Sequence, residues 1–169
     1  DYYRDPFQNI DYRITPSAGF GYEVIDEDGM SWTVGAGAGW ASVGAVVIGP
    51  GGAVLARAGN RTRELSDPTA HAEMLAIRAA AAALGSERLT GCDLYVTLEP
   101  CPMCAAAIAL ARIARLYYGA GDPKSGGVAQ GPRVFDHPQC HHSPEVYDGI
   151  AAAESERLLT GFFAGLRDR

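Results

Sequence analysis

With 169 residues, 47% hydrophobic and 20% charged, the chain has the length and composition of one globular domain with its own core, which excludes disordered and fibrous classes. Gly, Arg or Pro breaks every apolar run before membrane-spanning length, and residues 1–13 lack the basic start and apolar stretch of a secretory signal, so no membrane association and a cytoplasmic location are expected. The net charge of −6 speaks against nucleic acid, but residues 1–40 hold seven acids and two bases, whereas 41–169 hold thirteen acids and twelve bases, eleven of them Arg, so a local basic patch stays open.

Residues 1–42 form an atypical N-terminal segment. Tyr12 to Val24 and Ser31 to Trp40 flank the turn signal Asp26-Glu27-Asp28-Gly29 and read as a β-hairpin. The Gly/Ala run at 35–39 is a thin strand or a linker, and the segment resembles a hairpin from an outer-membrane β-barrel. From residue 43 to 169 the order clears. Val43 to Ile48 and Ala53 to Arg57 flank Gly49-Pro50-Gly51-Gly52, a second hairpin. Residues 71–84 (HAEMLAIRAAAAAL), free of Gly and Pro, predict a helix that starts near Asp67-Pro68-Thr69, with Asp67 as N-cap. A buried strand follows over Asp93 to Leu98, a helix from Pro102 to about Arg112 and a strand over Ala114 to Ala120. A Gly/Pro-rich loop then runs through Gly131, with a short element near Val146 and a last helix over 150–166. Strands alternating with helices predict an α/β fold, a three-layer α-β-α sandwich around a mixed central sheet.

The chemistry concentrates between His71 and Cys104. Zn²⁺ takes imidazole and thiolate ligands tetrahedrally, and a catalytic site supplies three protein ligands and leaves the fourth position to water. His71, Cys101 and Cys104 give three, and Glu73 is left as a base for that water. The two cysteines at i, i+3 present both sulfurs on one side of a helix start, where thiolates form readily. A closed structural site needs a fourth ligand, and Cys92, Cys140, His137, His141 and His142 all lie at long spacing. Without a secretory signal the four cysteines are expected reduced. His137, His141, His142 and Cys140 are read as loop residues and assigned no metal.

His-x-Glu followed by Pro-Cys-x-x-Cys is the pattern of zinc-dependent nucleobase deaminases. With VGAVV, GNR at 59–61, DPTAHAE, LYVTLEPCPMC, RLYYGA, DPKSGG and Phe162-Phe163, residues 43–169 resemble the bacterial tRNA-specific adenosine deaminases, of cytidine-deaminase-like fold. The resemblance implies one Zn²⁺ per subunit, hydrolytic deamination of the wobble adenosine of tRNA to inosine, the tRNA anticodon stem-loop as partner and a homodimer. It places Asn60 at the target nucleoside, Asp122 and Lys124 in a loop bordering the RNA groove, and Phe163 or its neighbour beside splayed anticodon nucleotides. Each has a plainer reading: Asn60 as a turn residue, Asp122 and Lys124 as an ordinary turn, Phe162 and Phe163 as core. The family's N-terminal amphipathic helix has no counterpart in residues 1–40, and Ser42 stands where the family usually has Pro. Two other functions stay open. A free base or nucleoside deaminase (guanine, cytosine or cytidine) would share every metal residue, and an inactive zinc-binding fusion protein would fit the odd N-terminal segment.

Overall fold

The computed structural model describes residues 44–150 and, ahead of them, the backbone of four strands. These are β1 (Tyr2–Asp5), β2 (Ile10–Ile14), β3 (Phe20–Ile25) and β4 (Ser31–Ala36), an antiparallel meander in that order. The predicted hairpin is present as β3–β4, with Ile25 opposite Ser31 and Phe20 opposite Ala36. Its first arm is shorter than predicted, because Tyr12 belongs to a separate strand, β2. Of the Gly/Ala run, Gly35 and Ala36 close β4, while residues 37–39 lie outside the described residues.

Among the described residues the second sheet is mixed and five-stranded. Its strands are β5 (Gly44–Ile48), β6 (Val54–Gly59), β7 (Asp93–Leu98), β8 (Arg115–Ala120) and β9 (Glu145–Tyr147), in the order β6-β5-β7-β8-β9. β5 pairs antiparallel with both β6 and β7, and β7–β8 and β8–β9 are parallel. The near-continuous apolar run of β7 is that of a central strand covered on both faces; Leu94, Tyr95 and Val96 are all buried.

Helices α1 (Ala72–Leu84) and α2 (Pro102–Leu110) pack into one apolar cluster with the sheet. Ala72, Ala76 and Ala80 recur every four residues, so α1 presents a smooth stripe that lets its backbone come close to β5 and β6, at Ala45, Val47 and Ala56. α1 ends as predicted: Gly85 adopts the left-handed conformation at φ 63° and its N–H reaches the carbonyls of Ala81 and Ala82. The helix begins later than predicted, at Ala72. Oδ1 of Asp67 is taken by the amide and hydroxyl of Thr69, both at 2.7 Å, which closes a turn instead of capping a helix. α2 ends two residues early because Arg112 turns left-handed at φ 60°. Alternate sheet residues Val46, Ile48, Tyr95 and Tyr117 form a second cluster with Val54, Tyr147 and Ile150. The predicted helix at 150–166 lies, beyond Ile150, outside the described residues, and among the described residues only one face of the sheet carries helices. Among the described residues no helix is long and apolar enough to cross a membrane.

Parallel pairing fixes the register of the central strands. Tyr95, Tyr117 and Tyr147 are cross-strand partners and stack, with ring centroids 4.4 and 4.8 Å apart. One step along, buried Asp93 faces Arg115, whose guanidinium donates in a fork, Nε to Oδ1 at 2.7 Å and Nη2 to Oδ2 at 3.0 Å. Arg115→Met removes both donors from a buried carboxylate and is expected to cost about 1–3 kcal/mol in urea unfolding. Arg88→Ala, which breaks an exposed 3.6 Å contact to Glu87, is expected to change stability by under about 1 kcal/mol. Equal effects of the two substitutions would contradict the buried fork.

Candidate active site

Two helix starts meet here. His71 occupies the position before α1 in extended conformation (φ −68°, ψ 153°), and Cys101 the same position before α2 (φ −67°, ψ 168°). Pro102 opens α2 with the fixed φ a first turn needs, and Cys104 follows within that turn. His71 Nδ1 lies 3.7 Å from Cys101 Sγ and 3.6 Å from Cys104 Sγ, and the ligand atoms of all three residues fall within 4.8 Å of one another. Among the described residues no other His, Cys, Asp or Glu joins this set, so it offers three donors. One nitrogen and two sulfurs at this separation fit zinc, and leave a coordination position to a small ligand. The thiols share a hydrogen bond: Cys104 holds the Cys101 thiol down to about 5, while the same bond, with burial, pushes Cys104 up. A cation bound among them would favour the thiolate form of both.

Glu73, in the first turn of α1, is 3% exposed, and its Oε2 has no hydrogen-bond partner. A buried, unpaired carboxylate oxygen costs on the order of 1–3 kcal/mol, so its presence beside three metal donors marks a place for a polar ligand. Burial pushes the Glu73 carboxyl above the usual carboxylate range, against the opposing pull of its own backbone amide and His71. A carboxyl that holds its proton more readily than a free one suits proton exchange with a ligand beside it.

Asn60 lies just after β6 and spends its side-chain oxygen locally, accepting the Thr62 amide at 3.0 Å. That leaves its amide NH₂ available. The following loop is tied to the site by Arg61 N–H donating to Ala70 O at 3.0 Å, next to His71. Asp122 and Lys124 lie after β8. Asp122 Oδ1 accepts the amides of Lys124 and Ser125, both at 3.0 Å, and Lys124 is exposed. Phe162 and Phe163 lie outside the described residues. The His137–His142 stretch is held by its own hydrogen bonds: Cys140 Sγ to His142 O at 3.1 Å, Arg112 to His141 O at 2.8 Å, and His142 Nε2 at 2.6 Å from Ile113 O.

The loop after β8 is pressed onto the metal turn. Gly127 N–H donates to Pro100 O at 2.9 Å, and a Cβ on Gly127 would lie 2.5 Å from Pro102 N, so only glycine fits there. Glu99 lies in the LYVTLEPCPMC stretch but the sequence gives it no task, yet it is 3% exposed and its carboxylate accepts four backbone amides of this loop. The only hint was its place, an acid closing an apolar strand; its partners, 23 to 31 residues downstream, carry no side-chain signature.

Residues 33–120 match the family model of the cytidine and deoxycytidylate deaminase zinc-binding region. Residues 1–63 match a second model, described only as a protein of unknown function, DUF481. The tRNA-specific adenosine deaminase of Agrobacterium fabrum is 63% identical over 121 residues, which cover 72% of this chain and 79% of that protein. A solved structure from studies of A-to-I editing by tRNA:A34 deaminases at the wobble position of transfer RNA superposes with a TM-score of 0.68 at 63% identity, covering 69% of this chain and 84% of the other. A guanine deaminase structure from Nitrosomonas europaea shares the fold at 22% identity, with a TM-score of 0.62 over 72% of each chain. By the family model over half of its length and the 63% identity to the Agrobacterium fabrum protein, the chain belongs to the cytidine and deoxycytidylate deaminase zinc-binding family, among the tRNA-specific adenosine deaminases.

Proposed function

We propose that this chain hydrolyses the wobble adenosine of a tRNA anticodon stem-loop to inosine and ammonia, with Glu73 as the proton carrier. The observation that carries this reading is the unpaired, buried Glu73 Oε2 beside the His71–Cys101–Cys104 donors. The identity of 63% to a tRNA-specific adenosine deaminase, against 22% to a guanine deaminase, favours the tRNA substrate over a free base. The intact set of donors and acid favours an active enzyme over an inactive fusion protein.

His71, Cys101 and Cys104 would hold the metal, and a zinc ion bound there would supply a Lewis acid that eases the ionisation of a water. Glu73 accepts a proton from the attacking water as its oxygen bonds to C6 of adenine, and returns one to N1. It then takes the remaining proton of the new C6 hydroxyl and passes it to the exocyclic amine; the C6–N bond breaks as the C6 carbonyl forms, ammonia departs and inosine remains. The low exposure of Glu73 keeps bulk water from competing for these protons. Asn60 offers its free NH₂ to the target nucleoside, and Lys124 its charge to a backbone phosphate. Asp122 shapes the turn that carries Lys124. Phe163 keeps a stacking role as its proposed task.

We place the deaminase domain at 43–169 and treat 1–42 as a separate unit, since β1–β4 and β5–β9 form two different sheets. A tRNA substrate favours a cytoplasmic location. Its proposed homodimer uses the outer side of α2, where Leu110 is 79% exposed beside an apolar groove of about 350 Å³ lined by Ala106, Ala109, Pro132 and Val134.

Glu73→Gln is expected to retain zinc and to lose about 10²–10⁴-fold in inosine formation on an anticodon stem-loop, whereas Cys101→Ala loses both. An active Glu73→Gln protein would remove the proton-carrier role. Asn60→Asp keeps the oxygen that accepts the Thr62 amide but removes the NH₂ donors; stem-loop turnover should fall by about tenfold or more with thermal stability nearly unchanged. Unchanged turnover would reduce Asn60 to a turn residue. In sedimentation velocity the protein should run as a dimer and Leu110→Glu as a zinc-loaded monomer; a monomeric parent protein would contradict the α2 interface.

A further inference from the structure

Glu99 is the last residue before the Pro100–Cys101 turn, and its carboxylate is nearly out of reach of solvent. Its Oε2 accepts the Asp122 amide at 2.9 Å. Its Oε1 accepts the amides of Val128, Ala129 and Gln130 at 3.1, 2.9 and 2.9 Å. Four oriented N–H groups replace the water that a buried carboxylate gives up, so the charge is satisfied by the backbone alone. These amides flank the whole turn, and three of them belong to consecutive residues curled around a single oxygen, as in an anion nest. The anion is part of the protein itself.

The loop has been shaped around that carboxylate. A Cβ on Gly126 would fall 2.5 Å from Glu99 Cδ and 2.6 Å from Asp122 O, so the close approach requires glycine. One residue on, Gly127 N–H binds Pro100 O. The loop carrying Asp122 and Lys124 is therefore fastened at two adjacent points to the turn carrying Cys101. It is otherwise irregular, and Pro123, Lys124 and Ser125 are exposed. Asp122 closes its first turn and Val128 is buried in the core, while the Glu99 carboxylate joins the two ends, Asp122 and residues 128–130, to the metal turn.

We propose that Glu99 is a positioning residue for the RNA substrate: it stands in for an external anion, rolls the 122–130 loop into one conformation and sets Asp122 and Lys124 at a fixed distance from the metal turn. It touches neither metal nor substrate. Its contribution is to hold the loop already in the shape that RNA binds, so that binding does not bear the entropy of ordering it. This rests on the tRNA reading for its kinetic readout.

The test begins with amide exchange in the full-length, zinc-loaded protein. The amides of Asp122, Val128, Ala129 and Gln130 should be protected as a set, although Ala129 and Gln130 are exposed residues in an irregular loop. Glu99→Gln turns an NH₂ toward at least one of these donors. It should keep its zinc and raise KM for the stem-loop by about tenfold, with kcat within about threefold of the parent. Gly126→Ala should give the same change by displacing the carboxylate. The double substitution should be no worse than either alone, because both break one interaction. Exchange at the rate of an open loop would overturn the proposal even if neither variant folds. An unchanged KM, a loss confined to kcat, or additive effects would overturn it as well. A parent protein that left the stem-loop untouched would remove the tRNA reading, and the exchange pattern would still decide whether Glu99 orders the loop.

Discussion

The constraint on which this molecule depends is the meeting of two helix starts, one bearing an imidazole and the other two sulfurs, at separations of 3.6 and 3.7 Å. Neither helix can satisfy it alone. α1 is set by its alanine stripe against the sheet, and α2 by Ala105 and Ile108 in the same apolar cluster. The small side chains matter because they leave few ways to pack. A helix held by alanine at close range has little freedom to slide, and a displacement of even 1 Å would spoil the donor set.

The sheet adds the remaining precision. Catalytic features collect beyond the carboxyl ends of the parallel strands β7 and β8, where open α/β sheets present their ligands. β7 leads into Glu99 and the cysteine turn, and β8 into the Asp122 loop. Because the strands are neighbours in register, pinned by the Asp93–Arg115 fork and the tyrosine stack, their exits are also neighbours. The metal turn and the substrate loop thus share a rigid base, and the Glu99 and Gly127 contacts join them above it. Burial of Glu73 belongs to the same economy of space: the apolar packing that fixes α1 also strips water from the carboxyl and raises its proton affinity.

Much of this could be read from the sequence, for identifiable reasons. Zinc ligands are legible because only His and Cys at suitable spacing will serve, and Glu73 because an acid two residues from a ligand has few other tasks. The strands β5, β7 and β8 were legible because Gly and Pro bound their apolar runs. The start of α1 was misplaced because Asp67 and Pro68 carry the chemistry of a cap, and only the bonds to Thr69 show which turn the aspartate closes. The predicted arm Tyr12 to Val24 spans both β2 and β3, although Pro16-Ser17-Ala18-Gly19 between them carries a turn signal of its own. Glu99 was invisible for a deeper reason. Its partners are backbone amides, which every sequence supplies, so the pairing exists only once the chain has folded.

The claim at the centre is that a metal held by three side chains, with an acid beside it, is what turns adenosine into inosine here. The most direct measurement follows inosine formation on an anticodon stem-loop by protein stripped of metal and then given one equivalent of Zn²⁺. The account predicts no inosine from the stripped protein and full recovery at one zinc per chain. Inosine formed without metal, or none formed by the zinc-loaded protein, would contradict it.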